Sequence, residues 1–313
     1  MAYQIQSRPF DSLTEYVVTH SVTGEQLSVI PERGGMLRQL LLRAGDRLVP
    51  VLAAPETPQA LLTDPGYSSA FLFPFPSRIR SGTYTFDGQT YTFPHNDFGR
   101  PNAIHGLIAH EPFQLIEQSV NGDQATLTLR YEADGSHPAY PFPYALEVQY
   151  QLSPGRLTIH FHVANKGHVR FPAAFGWHPY FRLGETSVDD LTLELPAAET
   201  IELDDSLLPV GVRPFEERGQ QTLRGRSFDN IFRTAATDEP LSVSKLSSPE
   251  EQLTLCVGQD EAFPFVVVYT PDHRRNIAIE PLTANVDSFN NGDGLTILEP
   301  GGSFGGRMEV WLT

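Results

Sequence analysis

Apolar and polar side chains alternate along most of this chain with a period of two, and Gly, Pro, Asn and Asp break the alternation at short intervals. Successive side chains of a strand point to opposite faces, so the pattern predicts half-buried β-strands joined by tight turns, with little helix. In Thr83–Phe93 the Asp87-Gly88 pair suits the positive φ angles of a hairpin turn, while Tyr84, Phe86, Tyr91 and Phe93 supply apolar positions. A second hairpin is predicted to join Phe113–Val120 to Gln124–Tyr131 through Asn121-Gly122-Asp123. A third sets Leu146, Val148, Tyr150 and Leu152 against Leu157, Ile159, Phe161 and Val163 across Ser153-Pro154-Gly155. The run Phe265–Tyr269 reads as a strand buried on both faces, followed by a turn at Pro271-Asp272 and the strand Asn276–Glu280. These elements predict an all-β core of two stacked sheets.

No repeat, charge block or low-complexity linker divides the 313 residues, which predicts one domain over 1–313. The prolines 138, 141 and 143 alternate with Tyr140, Phe142 and Tyr144, a mixture that predicts an ordered, packed loop rather than a linker. A net charge of −16 repels nucleic acid and anionic membrane surfaces, so the expected partner is a small neutral molecule, with the protein itself a monomer or weak dimer. The single cysteine, Cys256, lies in an apolar stretch and excludes an internal disulfide. The segment MAYQIQSRPFDSLTEY has no basic stretch followed by an apolar run, and no stretch is long enough to span a bilayer, so a cytoplasmic location is expected.

The candidate chemistry lies in short polar punctuations of this pattern. Phe175-Gly176-Trp177-His178-Pro179-Tyr180-Phe181 surrounds a histidine with aromatic rings, and sugars offer C–H faces to rings and hydroxyls to polar groups. Composition alone leaves His178 between a pocket-wall residue and a core histidine. Glu280 shares a strand face with Ala278, opposite Ile277 and Ile279, and the following Pro281 is expected to end the ladder and leave the carboxylate at a strand end. By itself it reads slightly better as a solvated edge residue. Arg78 in PFPSRIR, His105 in NAIHGL and Asp229 in FDNIF are further polar groups in apolar company. Taken singly, each reads more simply as a surface cation, a loop histidine and a turn cap.

Together, in chain order, PFPSRIRSG, NAIHGL, FGWHPYF, FDNIF, NIAIEPLT and LEPGGSF resemble the aldose 1-epimerase (galactose mutarotase) family. The resemblance spans most of the chain and implies a large antiparallel β-supersandwich. It further implies Glu280 as catalytic base, His178 as catalytic acid, Arg78, His105 and Asp229 as holders of sugar hydroxyls, and no metal or organic cofactor. Leu107 departs from the pattern, since many members carry a second glycine after His-Gly; an altered pocket shape is expected there.

The implied roles fit the chemistry of anomer exchange, which takes a proton from the C1 hydroxyl and delivers one to the ring oxygen. Glu280 would take the first, protonated His178 would give the second, and a neighbouring carboxylate is expected to keep His178 protonated near neutral pH. Four rivals remain. His160 and His162, two apart on one strand, with His168 beyond, have a spacing that can chelate a cation. Glu280 and Asp229 could form a glycoside hydrolase pair. The fold could bind sugar without turnover. A sugar phosphate would call for extra cations, for which Arg80 and Arg100 are candidates.

Overall fold

The structure is a computed structural model and describes residues 2–64 and 66–313, so Met1 of the amino-terminal reading lies outside it. Strands hold 51% of the chain and helices 5%, which bears out the all-β expectation. Among the described residues the α-helical segments, Pro58–Leu62 and Ser288–Asn291, are short connections.

A nine-stranded antiparallel sheet begins with the consecutive strands Gln114–Asn121, Gln124–Ala133, Tyr144–Ser153 and Arg156–Asn165. It continues through Ser303–Leu312, Leu253–Gln259, Ser242–Ser248, Thr192–Glu194 and Gln221–Thr222. The second large sheet runs in the order Pro209–Pro214, Ala197–Leu203, Asp229–Thr234, Phe265–Tyr269, Ile277–Leu282, Gly176–His178 and Ala70–Leu72, with Tyr180–Phe181 also paired to Ile277–Leu282. The first five strands, from Tyr3 to Pro50, form a separate antiparallel sheet.

The two large sheets share one apolar core. Phe161 of the nine-stranded sheet stacks on Phe175, beside the second sheet, at 4.0 Å between ring centroids and 2° between planes. Tyr150 meets Phe71 across the interior in a tilted contact, 6.0 Å between centroids and 41° between planes, and its hydroxyl donates to Gly35 O at 2.7 Å, which satisfies a buried polar group. The predicted hairpins form. Asp87 and Gly88 have φ of 48° and 79°, the two positive values a two-residue hairpin turn needs. In the second hairpin the register slips between Leu115 and Glu117, and in the third Ser153 still pairs with Arg156, so Pro154-Gly155 alone make the turn. Tyr140, Phe142 and Tyr144 are buried against Phe171, as the packed-loop reading requires.

Two expectations are corrected. Phe265–Tyr269 is not buried on both faces: Phe265, Val266 and Val268 are buried, but Val267 and Tyr269 are only half-buried because their side opens on a cavity. Pro281 does not end the ladder, since the strand continues to Leu282 and Val266 pairs with Pro281. Glu280 therefore sits within a ladder, not at its end.

Candidate active site

Period-two alternation builds the floor of the site. In Ile277–Leu282, Ile277 and Ile279 enter the core, which turns Ala278 and Glu280 to the opposite face. Glu280 pairs with Val267, Ala278 with Tyr269, and Tyr269 in turn with Asp229 on the next strand, so these side chains share that face. On the other flank Gly176 pairs with Leu282 and Tyr180 with Ala278, which brackets Glu280 opposite His178. Trp177, between them in alternation, is fully buried in the core. The result is a cavity of about 450 Å³, within the range of small-molecule sites.

His178 and Glu280 lie on its floor, exposed by 6% and 3%, with Nε2 and Oε1 3.4 Å apart. Burial dominates their titration. It lowers His178 from its ordinary 6.5 to about 4, because a charged ring is poorly solvated there. It raises Glu280 well above the ordinary carboxyl range; the Asp229 charge adds to this and Arg78 opposes it. Both shifts run toward the uncharged forms, a carboxylic acid beside a neutral imidazole. The expectation that a neighbouring carboxylate keeps His178 protonated near neutral pH is thereby corrected: desolvation outweighs the attraction.

The walls come from loops. Arg78–Ile79 pairs with Ala103–Ile104, and the chain then turns at His105, with φ of 64°, and Gly106, with φ of 70°. His105 N–H donates to Ser77 O at 2.8 Å and Leu107 N–H to Phe73 O at 2.7 Å. A Cβ on Gly106 would lie 2.2 Å from Phe73 O, so only glycine allows this approach. The buried His105 ring packs edge-on against Tyr67 at 4.7 Å and His178 at 5.2 Å, and burial with His178 and Arg78 nearby lowers its basicity well below the ordinary value. Arg78 Nε donates to Asp97 Oδ2 at 2.9 Å and Nη2 to Oδ1 at 3.4 Å. Asn96 closes the loop by exchanging hydrogen bonds with the backbone of Ile104, at 2.8 and 3.0 Å.

All five residues singled out in the sequence, Arg78, His105, His178, Asp229 and Glu280, line this one cavity. Of the aromatic segment around His178, only His178 and Tyr180 reach it; Phe175, Trp177 and Phe181 are core, so the pocket-wall reading of the whole segment is corrected. The other ring-bearing walls are Tyr67, Tyr269 and Phe98, the last 94% exposed at the mouth. Sequence reading missed these three, together with Asn96 and Asp97. Tyr269 was accessible from alternation once its strand was paired with that of Glu280; the loop residues carry no periodic signal.

Leu107 lies elsewhere. It borders a second, larger cleft of about 830 Å³ between the loop at Asp134–Pro138 and the strand Gln124–Ala133, where no comparable buried acid–base pair occurs. The altered-pocket expectation attached to Leu107 therefore does not apply to the cavity of His178 and Glu280. Arg100 lines that cavity, whereas Arg80 does not and lies 3.6 Å from Asp287. His160 is half-buried and His162 exposed, opposite Gln149 and Glu147, and no group of three or more potential metal ligands occurs among the described residues.

The family model described as aldose 1-epimerase matches residues 17–311. The uncharacterized protein YihR of Escherichia coli K12 is 30% identical over 238 residues, 74% of each chain. A probable aldose 1-epimerase of Arthroderma benhamiae is 21% identical over 62% of this chain and 48% of its own. Among solved structures, a galactose mutarotase-like protein from Clostridium acetobutylicum superposes with a TM-score of 0.88 at 19% identity, covering 100% of this chain and 99% of its own. Galactose 1-epimerase from Lactobacillus acidophilus gives 0.83 at 18% identity, covering 99% and 98%.

Proposed function

The chain belongs to the aldose 1-epimerase family, and from that premise we propose that it is an isomerase interconverting the α and β anomers of a free aldohexose. The observation that carries the reading is the buried His178–Glu280 contact on the floor of a sugar-sized cavity, with one proton between two groups whose basicities burial drives in opposite directions. Arg78, His105 and Asp229 hold sugar hydroxyls around it, and Tyr67 and Tyr269 offer rings to its C–H faces.

In the proposed cycle the sugar hydroxyls take over solvation of the carboxylate, and the shared proton passes from Glu280 to His178. Glu280 then removes the C1 hydroxyl proton while His178 protonates the ring oxygen, and the C1–O5 bond breaks to leave an aldehyde. Rotation about C1–C2 and reclosure with the two roles exchanged gives the other anomer. No net proton is consumed, and positioned acid–base groups contribute a factor of about 10²–10⁴. The protein acts as one domain over 1–313, as a monomer or weak dimer, without metal or organic cofactor. It serves carbohydrate metabolism in the cytoplasm, a location in keeping with the free, buried Cys256.

Arg100 on the cavity lining favours a second reading, an aldose bearing a phosphate. Polarimetry of fresh α-D-glucose, α-D-galactose and α-D-glucose 6-phosphate tests both, with Glu280→Gln and His178→Asn as controls after circular dichroism shows that they fold. Acceleration by the wild type, lost in both variants, upholds the isomerase; acceleration confined to the phosphate upholds the second reading. No acceleration of any sugar would sink both and leave glycoside hydrolysis or simple binding to be assayed.

A further inference from the structure

The geometry points to Asp97 as a positioning residue that holds the Arg78 guanidinium against the acid–base pair. The inference rests on the proposed function for its effect on turnover, but not for its structural content.

Arg78 is 15% exposed and Asp97 4%, so the pair is nearly dry. Asp97 receives two of the Arg78 donors, and its Oδ2 also accepts from Asn102 Nδ2 at 3.1 Å. Asn102 is itself tied at both ends of its amide: Oδ1 accepts from Ser81 N–H at 3.3 Å, and Nδ2 also donates to Ser206 O at 3.2 Å. The carboxylate is thus fixed by a buried amide, and the guanidinium fixed by the carboxylate. Arg100 Nη1 lies 3.9 Å from Asp97 Oδ1, a longer contact than either Arg78 donor makes. Among the described residues no other carboxylate forms an ion pair with Arg78.

Fixing Arg78 matters because its charge reaches the chemistry. It lowers the basicity of His105 and His178 and opposes the rise of Glu280. The charged and titratable groups that share the cavity with Glu280 are His178, His105, Arg78, Arg100, Asp229 and the phenols of Tyr67, Tyr180 and Tyr269; Asp97, also on its lining, acts on it through Arg78. Without Asp97 an unpaired guanidinium in this dry setting is strongly disfavoured, and the long side chain leaves for water. Glu280 then loses the opposing charge of Arg78, and its proton is held more tightly.

The sign separates this role from a direct one. If Asp97 acted on Glu280 by its own charge, removing it would make the carboxyl more acidic; acting through Arg78, its removal makes the carboxyl less acidic. The test follows the Glu280 carboxyl by carbon-13 NMR titration, without sugar, in wild type, Asp97→Asn, Arg78→Met and the double variant. The expected result is an upward shift of equal size in each single variant and no further shift in the double. In polarimetry, kcat/KM falls about 10- to 100-fold in each, on the scale of a charged hydrogen bond, and the double is no worse than either single. A downward shift in Asp97→Asn, no shift, or a shift additive with that of Arg78→Met overturns the inference. Should Asp97→Asn not fold, Asp97→Ser carries the same comparison. If the wild type accelerates no sugar, the titration still decides the role of Asp97 while the proposed function fails separately.

Discussion

The burial of His178 makes its replacement a measurement of how strongly the site resists charge. In the unfolded chain the ring titrates near 6.5, and in the folded protein near about 4. Between those values the unfolded state binds more protons than the native state, so stability is fully present above pH 6.5 and is lost as pH falls through the window. At ~1.4 kcal/mol per pH unit, the interval from 6.5 to about 4 amounts to about 3 kcal/mol, of which about 2 kcal/mol is lost by pH 5. His178→Asn removes this dependence and leaves those of Glu280 and His105 in place. The assay is urea unfolding of wild type and variant at pH 7.5, 6.0 and 5.0, comparing the stability gap between them at each pH. The expected gap moves by about 2 kcal/mol in favour of the variant between pH 7.5 and 5.0. A gap constant to within about 0.5 kcal/mol would mean that the folded ring titrates like a solvated one, and the argument that burial holds the His178 ring neutral would be refuted.

Other expectations test separate links. The pH profile of kcat/KM should rise through about pH 4, where the His178 side of the pair gives up its second proton, and fall only above the carboxyl range, where Glu280 loses the shared one; stopped polarimetry across pH 3.5–9 reads both limbs. Gly106→Ala should destabilise by about 2–4 kcal/mol in urea titrations, since its Cβ meets Phe73 O at 2.2 Å and φ is 70°, and it should depress activity by displacing His105. Tyr150→Phe leaves the Gly35 carbonyl without its 2.7 Å donor and should cost about 1–2 kcal/mol by thermal melting, with kcat unchanged because Tyr150 lies in the core and not in the cavity. Activity should survive dialysis against a chelator, as the outward placement of His160 and His162 gives no ligand cluster.

Local pattern alone determined the strands and their faces. Alternation assigns Ile277 and Ile279 to one side and Glu280 to the other whatever the strand's partners, and Asp87-Gly88 dictates a tight turn from within two residues. The ordered short motifs likewise carried the family and the five polar residues that meet in one cavity. Tertiary structure decided what depends on partners distant in sequence. Pairing with Phe265–Tyr269 kept Pro281 inside a ladder, and the turn at His105-Gly106 sent Leu107 to a different cleft from its neighbour. Asp97 became significant only because its loop folds back on Arg78, 19 residues away. The opposite shifts of His178 and Glu280 are likewise a property of enclosure: desolvation is set by everything that surrounds a group, and no stretch of sequence around either residue contains that information.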